Sequence, residues 1–327
     1  MPKPFDLLDR NRAPRGVATL LKTPFEPENR LDEESYRRQV RHVIDAGTVL
    51  LIPGMIGSET YCLPPEDRER CIQISLEESN GLVPVCAAVC GVGVYDVERA
   101  AARAQEMGAD MIAVIPPPWI AREDDAARCL AQVAGSVELP VMIHSSFSGS
   151  GQKVFSAGTV DRLVRSIANI HYLKVEGARV VQLAKEFGEK SGDRIVRMMS
   201  APNFGEVYRA GCGLFMIAAH ILEPVVALFD ALEEGDGSAT EQIEADIAPY
   251  YAVEGYIRGE ICNKTVMQWR GIFTDARRGS PQLSDDPPTL LPGEVPMLAR
   301  AMEPLGKYFS SYPLDLPPVP PVERPSA

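Results

Sequence analysis

The chain has 327 residues, 45% of them hydrophobic and 24% charged, a globular balance that excludes wholesale disorder, collagen-like repetition and coiled coil. With 33 lysines and arginines against 45 aspartates and glutamates, its formal charge of −12 argues against nucleic acid or an anionic membrane as the main partner. No stretch reaches the roughly 18 to 20 unbroken apolar residues of a membrane helix, and the charged, proline-containing start lacks a signal-peptide core, so a cytoplasmic location is expected.

Residues 1–14 read as an N-terminal arm. Over 15–235 a weak repeat governs the pattern, in which a helical stretch closes on glycine and a short apolar run follows. Gly47 leads into 49–53, Gly108 into 111–115 and Gly211 into 214–218. The same pattern predicts further strands at 16–22, 83–88, 140–144, 171–175 and 194–200, with helices over 33–46, 65–80, 96–107, 124–136, 157–167 and 178–190. Eight strands spaced by about 25 to 35 residues predict an α/β fold, a closed (β/α)8 TIM barrel with a C-terminal helical extension. An open doubly wound sheet is the alternative.

Helical patterns at 223–234, 240–258, 264–273 and 294–309 complete the barrel and build a C-terminal helical region over 236–311. Residues 279–292 read as a linker, and the proline-rich tail 312–327 is expected to lie extended on the surface or on a neighbouring subunit. The seven cysteines lack a CxxC pair and read as reduced core thiols; with four dispersed histidines they make no zinc ligand set, so no metal is expected.

In such a barrel, reactive groups project from the C-terminal ends of strands. In 171–176 a period of two places Tyr172, Lys174 and Glu176 on one side and Leu173 with Val175 on the other. If the apolar pair faces the helices, Lys174 points inward, loses hydration and is expected to have a lowered pKa, as an amine that condenses with a ketone requires. A lysine reaching solvent or pairing with Glu176 is the plain alternative. His144 ends the preceding strand and would stand near Lys174, either shuttling protons or hydrogen-bonded in the core. The following 145–151 stretch lacks a nucleotide-binding pattern. The loop Gly54 to Thr60 offers backbone N–H groups and the Ser58 hydroxyl to a carboxylate, and Pro116 to Trp119 forms a rigid apolar turn suited to walling a pocket.

The segments 16–25, 54–59, 115–117, 139–143 and 172–176, in this order, resemble the dihydrodipicolinate synthase/N-acetylneuraminate lyase superfamily over roughly 15–306. The resemblance implies a barrel, usually a homotetramer, that binds pyruvate or another 2-oxo acid through Lys174 as a Schiff base without metal or organic cofactor. Departures from the family pattern are informative. Met55 and Ile56 replace hydroxyl residues before Gly57-Ser58-Glu59, and His144-Ser145-Ser146-Phe147 replaces the stretch carrying the relay tyrosine, so dihydrodipicolinate synthesis is not expected.

The variant pattern is more similar to the 2-keto-3-deoxy-L-arabonate dehydratase branch, which implies an acid/base role for Glu176 beside Lys174 and His144. Ser58 is then expected to hold the carboxylate, with Met55, Ile56, Gly57, Glu59, Ser145, Trp119 and Ile217 completing the substrate wall. The favoured activity is dehydration of a 2-keto-3-deoxy sugar acid. A pyruvate-dependent aldolase or hydratase-aldolase is the first alternative, because Met55, Ile56, Trp119 and Phe147 would suit a hydrophobic aldehyde. A noncatalytic 2-oxo acid binder is the second.

Overall fold

Short runs of valine, isoleucine, leucine, methionine and alanine form eight parallel strands, because each run can be buried on both faces and each is followed by a helix that returns the chain. They are β1 (Gly16–Leu20), β2 (Leu50–Ile52), β3 (Cys86–Val89), β4 (Met111–Val114), β5 (Val141–Ser146), β6 (Ile170–Glu176), β7 (Val196–Ser200) and β8 (Leu214–Ala218). This computed structural model describes residues 7, 9, 13–146, 155–176, 179–192, 194–200, 203–257, 259–279 and 289–319, without the side chains of Ser146, Glu176 and Ser200. The strand order is β2-β1-β8-β7-β6-β5-β4-β3, and a single parallel bridge, Leu51 to Val85, joins the two ends into a TIM barrel.

Alternation sorts each strand's side chains. Ala18, Leu20, Ile52, Met111, Met142, Tyr172, Met198 and Met216 fill the barrel interior. Val17, Leu51, Ile112, Ile143, Leu173, Val175, Met199 and Phe215 pack outward beneath the helices. Each large apolar side chain so buried contributes about 1.5 to 3 kcal/mol.

The helical layer comprises α1 (Glu33–Asp45), α2 (Pro65–Ser79), α3 (Val94–Met107), α4 (Glu123–Gly135), α5 (Ala157–Ser166), α6 (Val180–Ser191), α7 (Phe204–Arg209) and α8 (Leu222–Glu234). The glycine signal holds in the backbone: Gly108 ends α3 at φ 90°, a left-handed conformation strained for any L side chain, and its N–H reaches the Ala104 and Gln105 carbonyls. Predicted boundaries shift by a few residues, and the short α7 offered too few turns for a period to show.

Beyond the barrel lie α9 (Gly237–Tyr256), α10 (Gly259–Trp269) and α11 (Val295–Met302). The single helix predicted over 294–309 is divided into α11 and a 3-10 stretch, Glu303–Tyr308, that starts with Pro304 near its N-terminus, where the missing N–H interrupts the α-helical ladder. Buried Arg270 ties this region to the barrel: it pairs with Glu223 at the start of α8 and donates to the carbonyls of His220, Ser311 and Tyr312. The described part of the proline-rich tail runs back over the chain's own helices, with Asp315 N–H donating to the Trp269 carbonyl at 3.1 Å and Leu314 and Leu316 against the outer core. Most of the predicted linker and the end of the tail lie outside the described residues. Among those described, no helix is long and apolar enough to cross a membrane.

Candidate active site

At the C-terminal ends of the strands a cavity of about 230 Å3 is enclosed by four groups of residues. His144 and Lys174 come from β5 and β6; Leu20 and Lys22 from β1 and its exit; Met55, Ile56 and Gly57 from the loop after β2; and Met216, Ile217, Ala218 and His220 from β8 and its exit. Tyr251 and Glu254 on α9, with Glu260 and Asn263 on α10, close the top.

Lys174 enters this cavity because its strand neighbours Leu173 and Val175 are claimed by the outer core while Tyr172, of the same parity, fills the interior. Its residue is only 2% exposed. Parallel register sets His144 opposite Lys174, and the lysine Nζ lies 3.5 Å from His144 Nε2, at the outer limit of a hydrogen bond. Glu176 is in register with Ser146 and Ser200 at the strand end; its side chain lies outside the described residues.

The wall formed by β1 and β8 carries groups that the sequence reading did not single out. Lys22 has its backbone held by Gln39, whose side-chain carbonyl accepts from Lys22 N–H and whose amide donates to the Lys22 carbonyl, both at 2.8 Å. Its Nζ donates to the Gly57 carbonyl at 2.7 Å, and Thr23 Oγ1 donates to the Ser58 carbonyl at 2.6 Å, so the β1 exit pins the 54–59 loop. His220 is buried with its ring 4.9 Å from that of Tyr250, and burial together with the charges of Lys22 and Arg270 holds it well below the ordinary histidine range. Glu254 is pushed up by burial, although Asn263 Nδ2 and Tyr250 OH both donate to its Oε1 and Lys22 opposes the rise.

Met55, Ile56, Gly57, Ile217, His144 and Lys174 thus face the cavity together. Four expected substrate contacts stand elsewhere. Ser58 and Glu59 are not among the cavity's lining residues; they lie at the end of a 3-10 turn, Ile56–Ser58, and just after it, where Glu59 has a left-handed backbone at φ 59°. The N–H groups of Ser58 and Glu59 are spent within the turn on the Met55 and Ile56 carbonyls, both at 2.9 Å. The Glu59 carboxylate pairs with buried Lys264 and accepts from Gly279 N–H, which makes it a structural tie rather than a substrate contact. Ser145 has outward parity, and its Oγ accepts from Phe155 N–H at 2.9 Å. Trp119 is 64% exposed and donates to the Val92 carbonyl, outside the cavity wall.

A signal for Lys22 was available: it continues the parity of Ala18 and Leu20, both interior residues. Glu254, Glu260 and Asn263 had none, because their position depends on how α9 and α10 pack over the mouth. Among the described residues no group of three or more histidines, cysteines, aspartates or glutamates is placed to hold a metal ion. The cavity's chemistry is that of two amines, two imidazoles and two carboxylates around a small apolar floor.

A family model described as the dihydrodipicolinate synthetase family matches residues 13–278. The chain is 25% identical over 246 residues to the 4-hydroxy-tetrahydrodipicolinate synthase of Brucella abortus biovar 1, a match covering 72% of this chain and 82% of the relative. It is 28% identical over 249 residues to the Streptomyces coelicolor protein named "Probable 5-dehydro-4-deoxyglucarate dehydratase 1", covering 72% and 77% respectively. Among solved structures, a prophage protein of the dihydrodipicolinic acid synthase family from E. coli K12, in complex with pyruvate, superposes with a TM-score of 0.81 at 20% identity, covering 90% of this chain and 99% of that one. That likeness speaks to the fold.

Proposed function

Because this chain belongs to the dihydrodipicolinate synthetase family, we propose that it is a Schiff-base-forming lyase acting on a 2-oxo acid, and that its reaction is the dehydration of a 2-keto-3-deoxy sugar acid. The observation that carries the reading is the buried Lys174 amine inside the cavity, with an imidazole nitrogen 3.5 Å away. Removing a lysine from water penalises its charged form, the condition under which an amine attacks a carbonyl.

Lys174 Nζ adds to C2 of the substrate, and the carbinolamine loses its oxygen as water to give a protonated imine. His144, its Nε2 3.5 Å from the lysine Nζ, is proposed as the proton carrier of that step. The imine acidifies C3. A base removes a C3 proton, the C–H pair forms the C2–C3 double bond of an enamine as the imine pair moves onto nitrogen, and the nitrogen pair then re-forms the imine, driving the C2–C3 pair into the C3–C4 bond and expelling the C4 hydroxyl, which leaves as water once protonated. Hydrolysis of the resulting unsaturated imine frees Lys174. Glu176, two positions beyond the lysine, is proposed as the C3 base, with His144 as its partner in acid/base work.

The upper wall supports a polyhydroxylated substrate. Tyr251, Glu254, Glu260 and Asn263 offer hydrogen-bonding groups where the chain beyond C4 would lie. A hydrophobic aldehyde is less well served, because Trp119 is outside the cavity lining. Phe147 lies outside the described residues. His144 in place of the relay tyrosine stands against dihydrodipicolinate synthesis. A homotetramer is carried as part of the proposal from the family resemblance alone.

The test is a panel of 2-keto-3-deoxy acids scored for two products. Loss of water without cleavage is expected. Release of pyruvate and an aldehyde would replace dehydratase by aldolase, and turnover of none, together with unchanged binding of pyruvate, would leave a 2-oxo acid binder.

A further inference from the structure

A buried charge must be paired or hydrogen-bonded to be tolerated. Lys264 and Arg270 obey this within the chain, facing Glu59 and Glu223. Lys22, only 5% exposed, does not: one of its three donors reaches the Gly57 carbonyl, and among the described residues no carboxylate lies within ion-pair distance of it. Glu254, which feels the Lys22 charge, has its Oε1 occupied by Tyr250 and Asn263. The remaining Lys22 donors therefore need an acceptor that the described fold does not supply.

Beside it, His220 is 1% exposed, and among the described residues neither ring nitrogen has a hydrogen-bond partner. The imidazole lines the same cavity and, kept neutral by burial and by the positive charges of Lys22 and Arg270, offers one N–H donor without adding charge. An unsatisfied ammonium and an unsatisfied imidazole on one wall are complementary to a carboxylate. Lys22, His220 and Lys174 line one cavity of about 230 Å3, so a single small acid inside it meets the same wall set.

We propose that Lys22 and His220 form the carboxylate subsite of this protein, holding the C1 carboxylate of the 2-oxo acid while its carbonyl meets Lys174. The inference rests on the Schiff-base reading for the identity of the ligand. The role expected of Ser58 passes to the β1 and β8 exits, because Ser58 is not among the residues that line the cavity and Met55 and Ile56 carry no hydroxyl.

The experiment uses full-length Lys174→Ala protein, in which no imine forms, titrated calorimetrically with pyruvate and with hydroxyacetone as a ketone lacking a carboxylate. Pyruvate should bind and hydroxyacetone should not. Adding Lys22→Met should weaken pyruvate binding by about 10- to 100-fold, and adding His220→Phe by about 10-fold, in line with lost hydrogen bonds to a charged group. Adding Lys22→Arg should retain most of the affinity, and thermal melts would establish that each variant is folded. Equal pyruvate binding with and without Lys22→Met overturns the proposal. So does equal binding of hydroxyacetone, or no pyruvate binding to Lys174→Ala at all. A wild type that forms no imine yet binds pyruvate through Lys22 would sink the lyase reading and leave this subsite standing.

Discussion

A buried lysine flanks the 54–59 loop on each side, and the two are treated in opposite ways. Lys264, on α10, is closed off: Glu59 pairs with it, the Arg277 carbonyl accepts from it at 3.0 Å and the Phe25 ring lies 4.4 Å away. Lys22, at the β1 exit, opens onto the cavity, and among the described residues its ammonium holds only the Gly57 carbonyl. The first arrangement completes its own electrostatics and ties α10 to the loop. The second leaves hydrogen-bonding capacity over, which a ligand can use. Burial alone therefore does not separate a structural cation from a functional one; the completeness of its partner set does.

The largest effect separates the cavity from the closed pair most sharply. Lys174→Ala should lower turnover by about 1000-fold or more in steady-state assays, while its thermal melt stays near that of the wild type because no apolar layer is opened. Retained turnover would remove Lys174 as the nucleophile.

Lys264→Met should do the reverse, costing about 3 to 5 kcal/mol in urea unfolding by leaving Glu59 buried without its partner. Lys264→Met combined with Glu59→Gln should recover part of that loss. Proton linkage gives a second readout. Burial holds Lys264 at about 8, below its ordinary 10.5, so between these values the unfolded chain binds more protons and stability rises with pH. The gain from pH 8 to pH 10 should shrink in Lys264→Met.

At neutral pH a smaller change attaches to the closed Arg270–Glu223 pair, which shows itself in acid. His42 beside it is held at about 3 by burial and by the Arg270 charge, against an ordinary 6.5. Its contribution is fully present above pH 6.5 and is lost as pH falls toward 3, at up to about 1.4 kcal/mol per pH unit. His42→Phe should flatten the acid limb of the stability profile. The smallest effect is that of Trp119→Ala, expected to change stability by less than about 0.5 kcal/mol and turnover less than twofold, because the ring lies outside the cavity.

The barrel was legible because its signals are local. Gly47, Gly108 and Gly211 each adopt positive φ at a helix end, as the repeat required, and apolar runs follow them. Lys174 was legible for the same reason, since alternation within one strand sets its direction. Ser58 and Glu59 lie outside the cavity lining because the 54–59 loop folds into a three-residue 3-10 turn that no periodicity in the loop announces. Glu254 and Asn263 were hidden: they reach the cavity only through the packing of α9 and α10 over the barrel, which no period in their own sequence records. Lys22 lay between these cases, visible through parity with Ala18 and Leu20 but masked by its position past the end of β1.

The most direct test of the account is borohydride reduction of the wild-type protein with pyruvate present, followed by peptide mass spectrometry. A pyruvyl adduct on the peptide containing Lys174, and on no other lysine, is the predicted result. An unmodified Lys174, or an adduct on Lys22 instead, would contradict it.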